Sequence, residues 1–96
     1  MSPLIVIATV VANKESAQQL KGELLKLVAP TRKEEGCINY TLHQDNRDPA
    51  VFIFYETWKS AGHLEKHLAS EHYRAYVRDA EGLIAGKAVN KLTLVG

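Results

Sequence analysis

The chain opens with a run of apolar, mostly β-branched residues, Leu4–Val11, in which both alternating faces are hydrophobic. Such a continuous run predicts a central strand that is covered on both sides. The next apolar positions recur at helical spacing, at Ala17, Leu20, Leu24, Leu27 and Val28. Asn13 or Ser16 is placed to cap this helix, and Gly36 is placed to end it.

Two strands are predicted in the middle of the chain. Residues 37–44 alternate between apolar and polar types, with Ile38 on the apolar side, which is typical of a half-buried strand. A polar turn over residues 45–49 leads into Val51–Tyr55, which is again apolar on both faces. This second strand continues into Glu56–Trp58.

The last part of the chain predicts helix and then strand. Ser60 is placed to cap a second helix, and Ser70 is placed to restart it. The restarted part carries an apolar stripe at helical spacing, formed by Tyr73, Tyr76, Val77 and Ala80. Gly82 and Gly86 are expected to break the chain before a final strand at Val89–Val95.

The predicted order is βαββαβ, an α+β, ferredoxin-like arrangement with an antiparallel sheet in one domain over residues 1–96. Right-handed crossovers place the first and third strands in the centre, and these are the two strands that read as apolar on both faces. The helices of this fold cover only one face of the sheet. The other face would expose apolar side chains, so we predict a homodimer formed by sheet-to-sheet packing.

Composition narrows the classes of partner. The chain has 96 residues, of which 46% are hydrophobic and 24% charged, as in an ordinary globular domain. Its formal net charge is only +1, which argues against nucleic acid and against an anionic membrane as partners. The strand at Val51–Tyr55 also lacks the basic residue and glycines of RNA-recognition modules.

Short stretches of the sequence bear on the cellular location of the protein and on its cysteine chemistry. No apolar run approaches the roughly 20 residues of a membrane span. Met1–Pro3 carries no basic residue, so we interpret Leu4–Val11 as a strand rather than a signal peptide and expect a cytoplasmic protein. The single cysteine, Cys37, rules out an internal disulfide and is expected to pack rather than to act as a nucleophile.

Cofactor signals are absent from the sequence. His63 and His67 are four residues apart on a predicted helix, and His72 follows nearby, but zinc needs a further ligand that the sequence does not identify. We therefore predict no metal site. The chain has no Gly-rich phosphate loop and no dinucleotide fingerprint, so no cofactor is predicted.

Several polar residues between positions 56 and 76 are candidates for chemistry. His67 borders the apolar stripe, where it is either a general base or a surface histidine. Glu56 and Trp58 share one strand face, and the carboxyl is either functional or paired with Arg74 or Arg78. Trp58 is either a wall for an aromatic ligand or a core residue, and Tyr40 and Tyr76 are either core residues or phenols that orient a quinone oxygen.

Three stretches resemble the antibiotic biosynthesis monooxygenase superfamily, and among its members the small quinol monooxygenase-like proteins. They are EGCINY at 35–40, FYETW at 54–58, and Leu64-x-x-His67-x-x-Ser70-x-His72. The resemblance implies a dimeric α+β barrel with a pocket between each sheet and its helices. It also implies oxidation of an aromatic small molecule, a quinol or phenol, by molecular oxygen without metal, flavin or haem.

The resemblance implies roles for individual residues. His67 or His72 would take the phenolic proton, Trp58 would shape the pocket, and Glu56 or Tyr76 would orient the base or the substrate. Haem-degrading relatives use an asparagine on the first strand, where this chain has Ala8, which counts against haem. Two alternatives stay open: a non-catalytic, small-molecule-binding or stress-associated dimer, and an isomerase of a small carbonyl compound.

Overall fold

The computed structural model describes residues 3–96, so Met1 and Ser2, on which part of the signal-peptide interpretation rests, lie outside the described residues. The elements follow one another as β1 Leu4–Ala12, α1 Ala17–Arg32, β2 Cys37–Gln44, β3 Val51–Trp58, α2 Ala61–Leu68, α3 Glu71–Ala80, a 3-10 turn at Glu81–Leu83, and β4 Ile84–Leu92. This order is the predicted ferredoxin-like arrangement with its second helix divided in two. The α+β prediction is confirmed.

The four strands form one antiparallel sheet in the order β2-β3-β1-β4. The two strands with apolar residues on both faces, β1 and β3, are therefore central, as predicted. In their register Val6 lies opposite Glu56, and Ala8 lies opposite Phe54. Side chains at alternate positions share a face, so Glu56 and Trp58 point to the same side as Val6.

The core lies between the sheet and the helices. Val6, Val10, Phe52 and Phe54 of the central strands are at most 5% exposed, and they face a helical layer in which Leu20, Leu24 and Leu27 of α1 are buried. This one-sided covering follows from the topology, because both crossovers return on the same side of the sheet. No helix within residues 3–96 is long and apolar enough to cross a membrane.

Serine side chains begin the two short helices, as predicted. The Ser60 hydroxyl accepts a hydrogen bond from the His63 amide at 3.3 Å, and the Ser70 hydroxyl accepts one from the Tyr73 amide at 3.3 Å. The start of α1 is different. Ser16 occupies the cap position without a side-chain hydrogen bond, whereas the Asn13 side chain donates to the Gly82 carbonyl at 2.9 Å.

The end of α1 lies earlier than the sequence predicts. The helix stops at Arg32, four residues before Gly36, and Pro30 lies within its last turn. The amides of Lys33 and Glu34 bond to carbonyls three residues back, which tightens the chain out of the α-helix. This early end places Glu34 in the turn that leads to β2.

Two strand predictions are corrected by irregular pairing. The register between β2 and β3 shifts between Cys37 and Asn39, so Ile38 lies at a bulge and is 54% exposed instead of lying on the apolar face. The last strand is Ile84–Leu92, not Val89–Val95, because Gly86 does not break the strand but pairs with Val11 beside another register shift.

The second sheet face carries no helix. Its residues alternate with the core positions, so β1 contributes Ile5 and Ile7, and β3 contributes Ile53 and Tyr55. Tyr55 is 40% exposed and Leu92, paired with Ile5, is 44% exposed. We call this surface, formed by Ile5, Ile7, Val11, Ile53, Tyr55 and Leu92, the open face.

Candidate functional site

A cavity of about 190 Å³ lies between the helix-covered side of the sheet and the helices α2 and α3. Most of its wall is apolar, with Val6, Ala8 and Val10 from β1, Phe54 from β3, and Leu64 from α2. Ala8 is smaller than Val6 and Val10, and its short side chain leaves space between them. The cavity is therefore built into the core side of the fold.

His67 forms a polar part of this wall. The residue lies one position before the end of α2 and is only 2% exposed, so the prediction of a surface histidine is wrong. Its ring packs against Trp58 at a centroid distance of 4.8 Å and against Tyr73 at 5.1 Å. Burial lowers the pKa of His67 and so favours the neutral imidazole. This effect outweighs that of the Glu34 carboxylate, which raises the same pKa.

Glu34 holds the ring of His67. One carboxylate oxygen, Oε2, lies 2.7 Å from Nδ1 of His67 and 2.7 Å from Nε2 of His72. A carboxylate only accepts hydrogen bonds, so Nδ1 of His67 carries the proton and Nε2 keeps its lone pair. Within residues 3–96 the structure records no protein hydrogen bond to that Nε2. The arrangement fits a general base oriented by a carboxylate.

Glu34 is a residue of the candidate site that sequence reasoning missed. It lies 33 residues from His67 and 38 from His72, and no local motif marks it. His72 was predicted beside His67, and the structure brings both to the same carboxylate. The exposure of His72 is greater, because its side chain retains 25% of its accessible surface.

Glu56 is the second ionisable group of the cavity wall. The residue is 4% exposed, and its Oε1 accepts a hydrogen bond from the indole Nε1 of Trp58 at 2.9 Å. Burial raises the pKa of Glu56 to about 7 despite the opposing effect of this hydrogen bond. The alternative ion pair is wrong: within the described chain Glu56 has no arginine partner, and Arg78 pairs with Asp79 at 3.2 Å.

Trp58 lies behind the cavity wall rather than in it. It is fully buried, contacts the ring of His67, and holds Glu56 through its indole N–H. Its position gives it a supporting role for the two ionisable groups. Because Trp58 does not line the cavity, we expect no direct contact between it and a ligand there.

Tyrosines complete the polar lining. Tyr40 stacks on Phe54 at a centroid distance of 4.7 Å, and Tyr73 and Tyr76 lie 5.5 Å apart on α3. Burial raises the pKa of all three phenols, in the case of Tyr76 to about 12. They therefore stay protonated near neutral pH and can offer hydroxyl groups to a ligand oxygen.

His63 and Cys37 lie outside the site. Nδ1 of His63 is 2.8 Å from the Ser60 hydroxyl, and its Nε2 is 3.7 Å from Glu35, so the helical spacing of His63 and His67 does not make them partners. Burial raises the pKa of the Cys37 thiol, which keeps the thiolate scarce and fits its expected packing role.

Two lysines of β4 stand at the edge of the cavity. Lys91 pairs with Val6 and Lys87 pairs with Val10, and both side chains line the cavity with the exposed Val89 between them. The predicted strand begins at Val89, and most of the residues predicted to carry chemistry lie between positions 56 and 76. Both lysines were therefore missed.

The family model described as "Antibiotic biosynthesis monooxygenase" matches residues 3–79. The chain belongs to the antibiotic biosynthesis monooxygenase family. Among solved structures, PA3566 from Pseudomonas aeruginosa superposes on this chain with a TM-score of 0.97 at 38% identity. The match covers 100% of this chain and 97% of the PA3566 chain. The fold of PA3566 is thus present over the whole described chain.

One of two curated relatives carries a monooxygenase name. "Probable quinol monooxygenase YgiN" of Escherichia coli is 32% identical over 73 residues, which is 68% of this chain and 70% of that protein. "Uncharacterized protein sll1783" of Synechocystis is 23% identical over 90 residues. That match covers 94% of this chain but only 61% of the longer relative.

Proposed function

We propose that the protein is a cofactor-independent monooxygenase that oxidises a single-ring quinol or phenol with molecular oxygen. The observation that carries this proposal is the Glu34–His67 pair in the wall of an apolar cavity. Family membership and the name of the relative YgiN support the reaction class.

The first step needs a base, and His67 is suited to that role. Glu34 keeps the proton on Nδ1, so Nε2 can accept the proton of a ring hydroxyl in the cavity. Burial keeps the imidazole neutral before the reaction. The imidazolium that forms is then stabilised by the adjacent Glu34 carboxylate, which acts as a positioning residue.

The later steps need no redox group from the protein. The quinolate gives one electron to oxygen, and the resulting pair recombines at a ring carbon to form a C–O bond. Protonation by His67 yields a hydroperoxide, which loses the ring proton and cleaves its O–O bond to leave a carbonyl and water. A hydroquinone and one oxygen molecule thus give a hydroxyquinone and one water molecule.

The size and charge of the cavity define the substrate further. A cavity of about 150 Å³ in another protein accommodates benzene, so about 190 Å³ suits one substituted ring better than a polycyclic one. The ammonium groups of Lys87 and Lys91 would stabilise the negative charge that develops on the ring oxygen or on reduced oxygen.

The proposed molecule is a homodimer that pairs its open faces. The apolar side chains of β1 and β3 on that face have no helix above them, and exposed apolar patches of this kind mark interaction surfaces. A cytoplasmic location remains part of the proposal.

Oxygen uptake with a panel of quinols tests the proposal. We expect single-ring quinols to be oxidised with one oxygen molecule per quinol, one labelled atom from ¹⁸O₂ in the product, and no net hydrogen peroxide. Polycyclic quinols should react much more slowly. Absence of uptake with every quinol, or accumulation of stoichiometric peroxide, would contradict a monooxygenase.

Substitution of the base provides the matched comparison. His67→Ala should lower kcat/KM by roughly 10²- to 10⁴-fold, as expected for the loss of a general base. His63→Ala, one turn earlier on α2 and outside the cavity, should leave the rate unchanged. Full activity of His67→Ala would show that another group takes the proton.

A second candidate, an isomerase of a small carbonyl compound, is favoured by one observation. A neutral His67 and two lysines at the cavity edge would also suit proton transfer next to the carbonyl of an anionic substrate. Solvent-proton exchange into such a compound under anaerobic conditions, without oxygen uptake from any quinol, would favour the isomerase.

A further inference from the structure

Three metal-ligand side chains meet behind the cavity wall. The nitrogen atoms of His67 and His72 that face Glu34 are each 2.7 Å from its Oε2, and the ligand atoms of the three residues all lie within 4.8 Å of one another. The side chains of Glu34 and His72 retain 17% and 25% of their accessible surface, so the cluster can be reached from solvent.

The donor set and its geometry suit a divalent transition metal. Two imidazoles and one carboxylate are ligands that Zn²⁺ and its neighbours in the first transition row accept. Tetrahedral coordination with bonds of about 2.1 Å separates ligand atoms by roughly 3.4 Å. Each nitrogen–Oε2 separation therefore needs to lengthen by about 0.7 Å, estimated from the same bond lengths, and the two nitrogens must also come to this spacing from each other.

The three ligands also come from three separate segments. Glu34 lies in the turn after α1, His67 near the end of α2, and His72 in the first turn of α3. Glu34 and His72 are partly exposed, so water can serve as a further ligand. This third protein ligand is the one that the sequence could not identify.

We propose that Glu34, His67 and His72 bind a divalent transition-metal ion such as Zn²⁺, and that the bound ion switches off His67 as a base. The switch follows because Nδ1 and Nε2 of the neutral His67 ring carry only one proton between them. A metal on Nδ1 of a neutral imidazole leaves the ring proton on Nε2. That nitrogen then donates a hydrogen bond and has no lone pair for a substrate proton. The switch rests on the proposed function, whereas the metal site does not.

Binding is tested by titrating the metal-free full chain with ZnCl₂ in a calorimeter and with CoCl₂ by visible absorption. One ion should bind per chain. His72→Ala and the milder His72→Gln should each weaken zinc binding at least tenfold, while His63→Ala should bind zinc as the wild type does. Absence of a one-to-one site, or dependence on His63 rather than His72, would overturn the site; circular dichroism confirms that the compared variants are folded.

The switch is tested without turnover by ¹⁵N NMR of the histidine rings. Zinc should move the ring proton of His67 from Nδ1 to Nε2, and saturating zinc should suppress quinol-dependent oxygen uptake until a chelator is added. A zinc-bound chain that keeps Nε2 unprotonated, or that oxidises quinol at the original rate, would overturn the switch. If zinc moves the proton but no quinol is oxidised, the proposed function fails and the metal site stands.

Discussion

Two ionisable side chains of the cavity, His67 and Glu56, experience the same physical effect with opposite signs. Burial lowers the pKa of the imidazole and raises that of the carboxyl to about 7, because in both cases the neutral form is easier to desolvate. Near neutral pH the site therefore holds an acceptor at His67 and a partly protonated acid at Glu56. Pairs of ionisable groups whose environments shift their pKa values in opposite directions are common at sites of proton transfer.

Glu56→Gln should make the free energy of unfolding less sensitive to rising pH. The folded-state pKa of Glu56 is about 7, above the ordinary value of 4.5, so the folded chain holds an extra proton between these values. The free energy of unfolding should thus fall as pH rises from about 4.5 to 7, by up to roughly 3 kcal/mol. Glutamine stays neutral and can still accept from the Trp58 indole.

Urea unfolding of both proteins at pH 5 and pH 8 measures this effect. We expect similar stability at pH 5 and a more stable Glu56→Gln variant at pH 8. A variant that loses stability equally at both pH values would show that Glu56 is accommodated as an anion.

The division of the second helical segment decides the geometry of the histidine cluster. On one continuous helix His67 and His72, five residues apart, would project about 140° from each other. Instead the chain breaks at Ser70, whose hydroxyl donates to the His67 carbonyl at 2.6 Å and caps α3. The break lets both rings reach Glu34.

Ser70→Ala should therefore reduce both stability and activity. Loss of the cap should cost about 1 kcal/mol, and loss of the bond to the His67 carbonyl should loosen His67, the proposed base. Ser60→Ala removes the corresponding cap of α2 and should cost a similar amount while leaving quinol turnover higher than in Ser70→Ala. Thermal unfolding and oxygen uptake measure the two effects, and equal activity of the two variants would contradict a special role for Ser70.

Gly36→Ala should destabilise the junction between α1, β2 and α2. A methyl group at Gly36 would overlap Cβ and Cγ of His63, and the Gly36 carbonyl also accepts from the Lys59 amide at 2.9 Å. Overpacking of this kind costs about 1–3 kcal/mol.

The matched control for this substitution is Gly22→Ala, which meets no atom within 4 Å. Gly22 lies within α1. The exchange should stabilise the protein by up to about 1 kcal/mol, because alanine favours the helix. Equilibrium unfolding of both variants gives the comparison, and a neutral Gly36→Ala would mean that α2 shifts freely.

For the molecule as a whole, the open face is an apolar sheet surface that no helix covers. One side of the sheet is covered by helices and encloses the cavity, while the other presents isoleucine and tyrosine side chains from the central strands. Burying that face against a second copy would provide the hydrophobic area that a chain of 96 residues cannot bury alone.

Ile53→Lys should convert the proposed dimer to a monomer. Ile53 lies on β3 opposite Thr9, on the open face, where a buried ammonium group would be strongly unfavourable. Gln18→Lys, at an exposed position of α1, adds the same charge away from that face and should leave the dimer intact. Sedimentation velocity measures the masses, and a wild-type monomer at micromolar concentration would contradict the proposed assembly.

The sequence by itself determined the order of the elements, the central position of β1 and β3, and the shared face of Glu56 and Trp58. These features depend on periodicity and on local capping, at Ser60 and Ser70 for example, which can be read along the chain. Only the tertiary structure decided two other features of the site: Glu34 as the partner of His67, and the lysines of β4 at the cavity edge. The physical reason is that such contacts join residues far apart in sequence or depend on strand register. Bulges at Ile38 and next to Gly86 shift that register without a clear local signal.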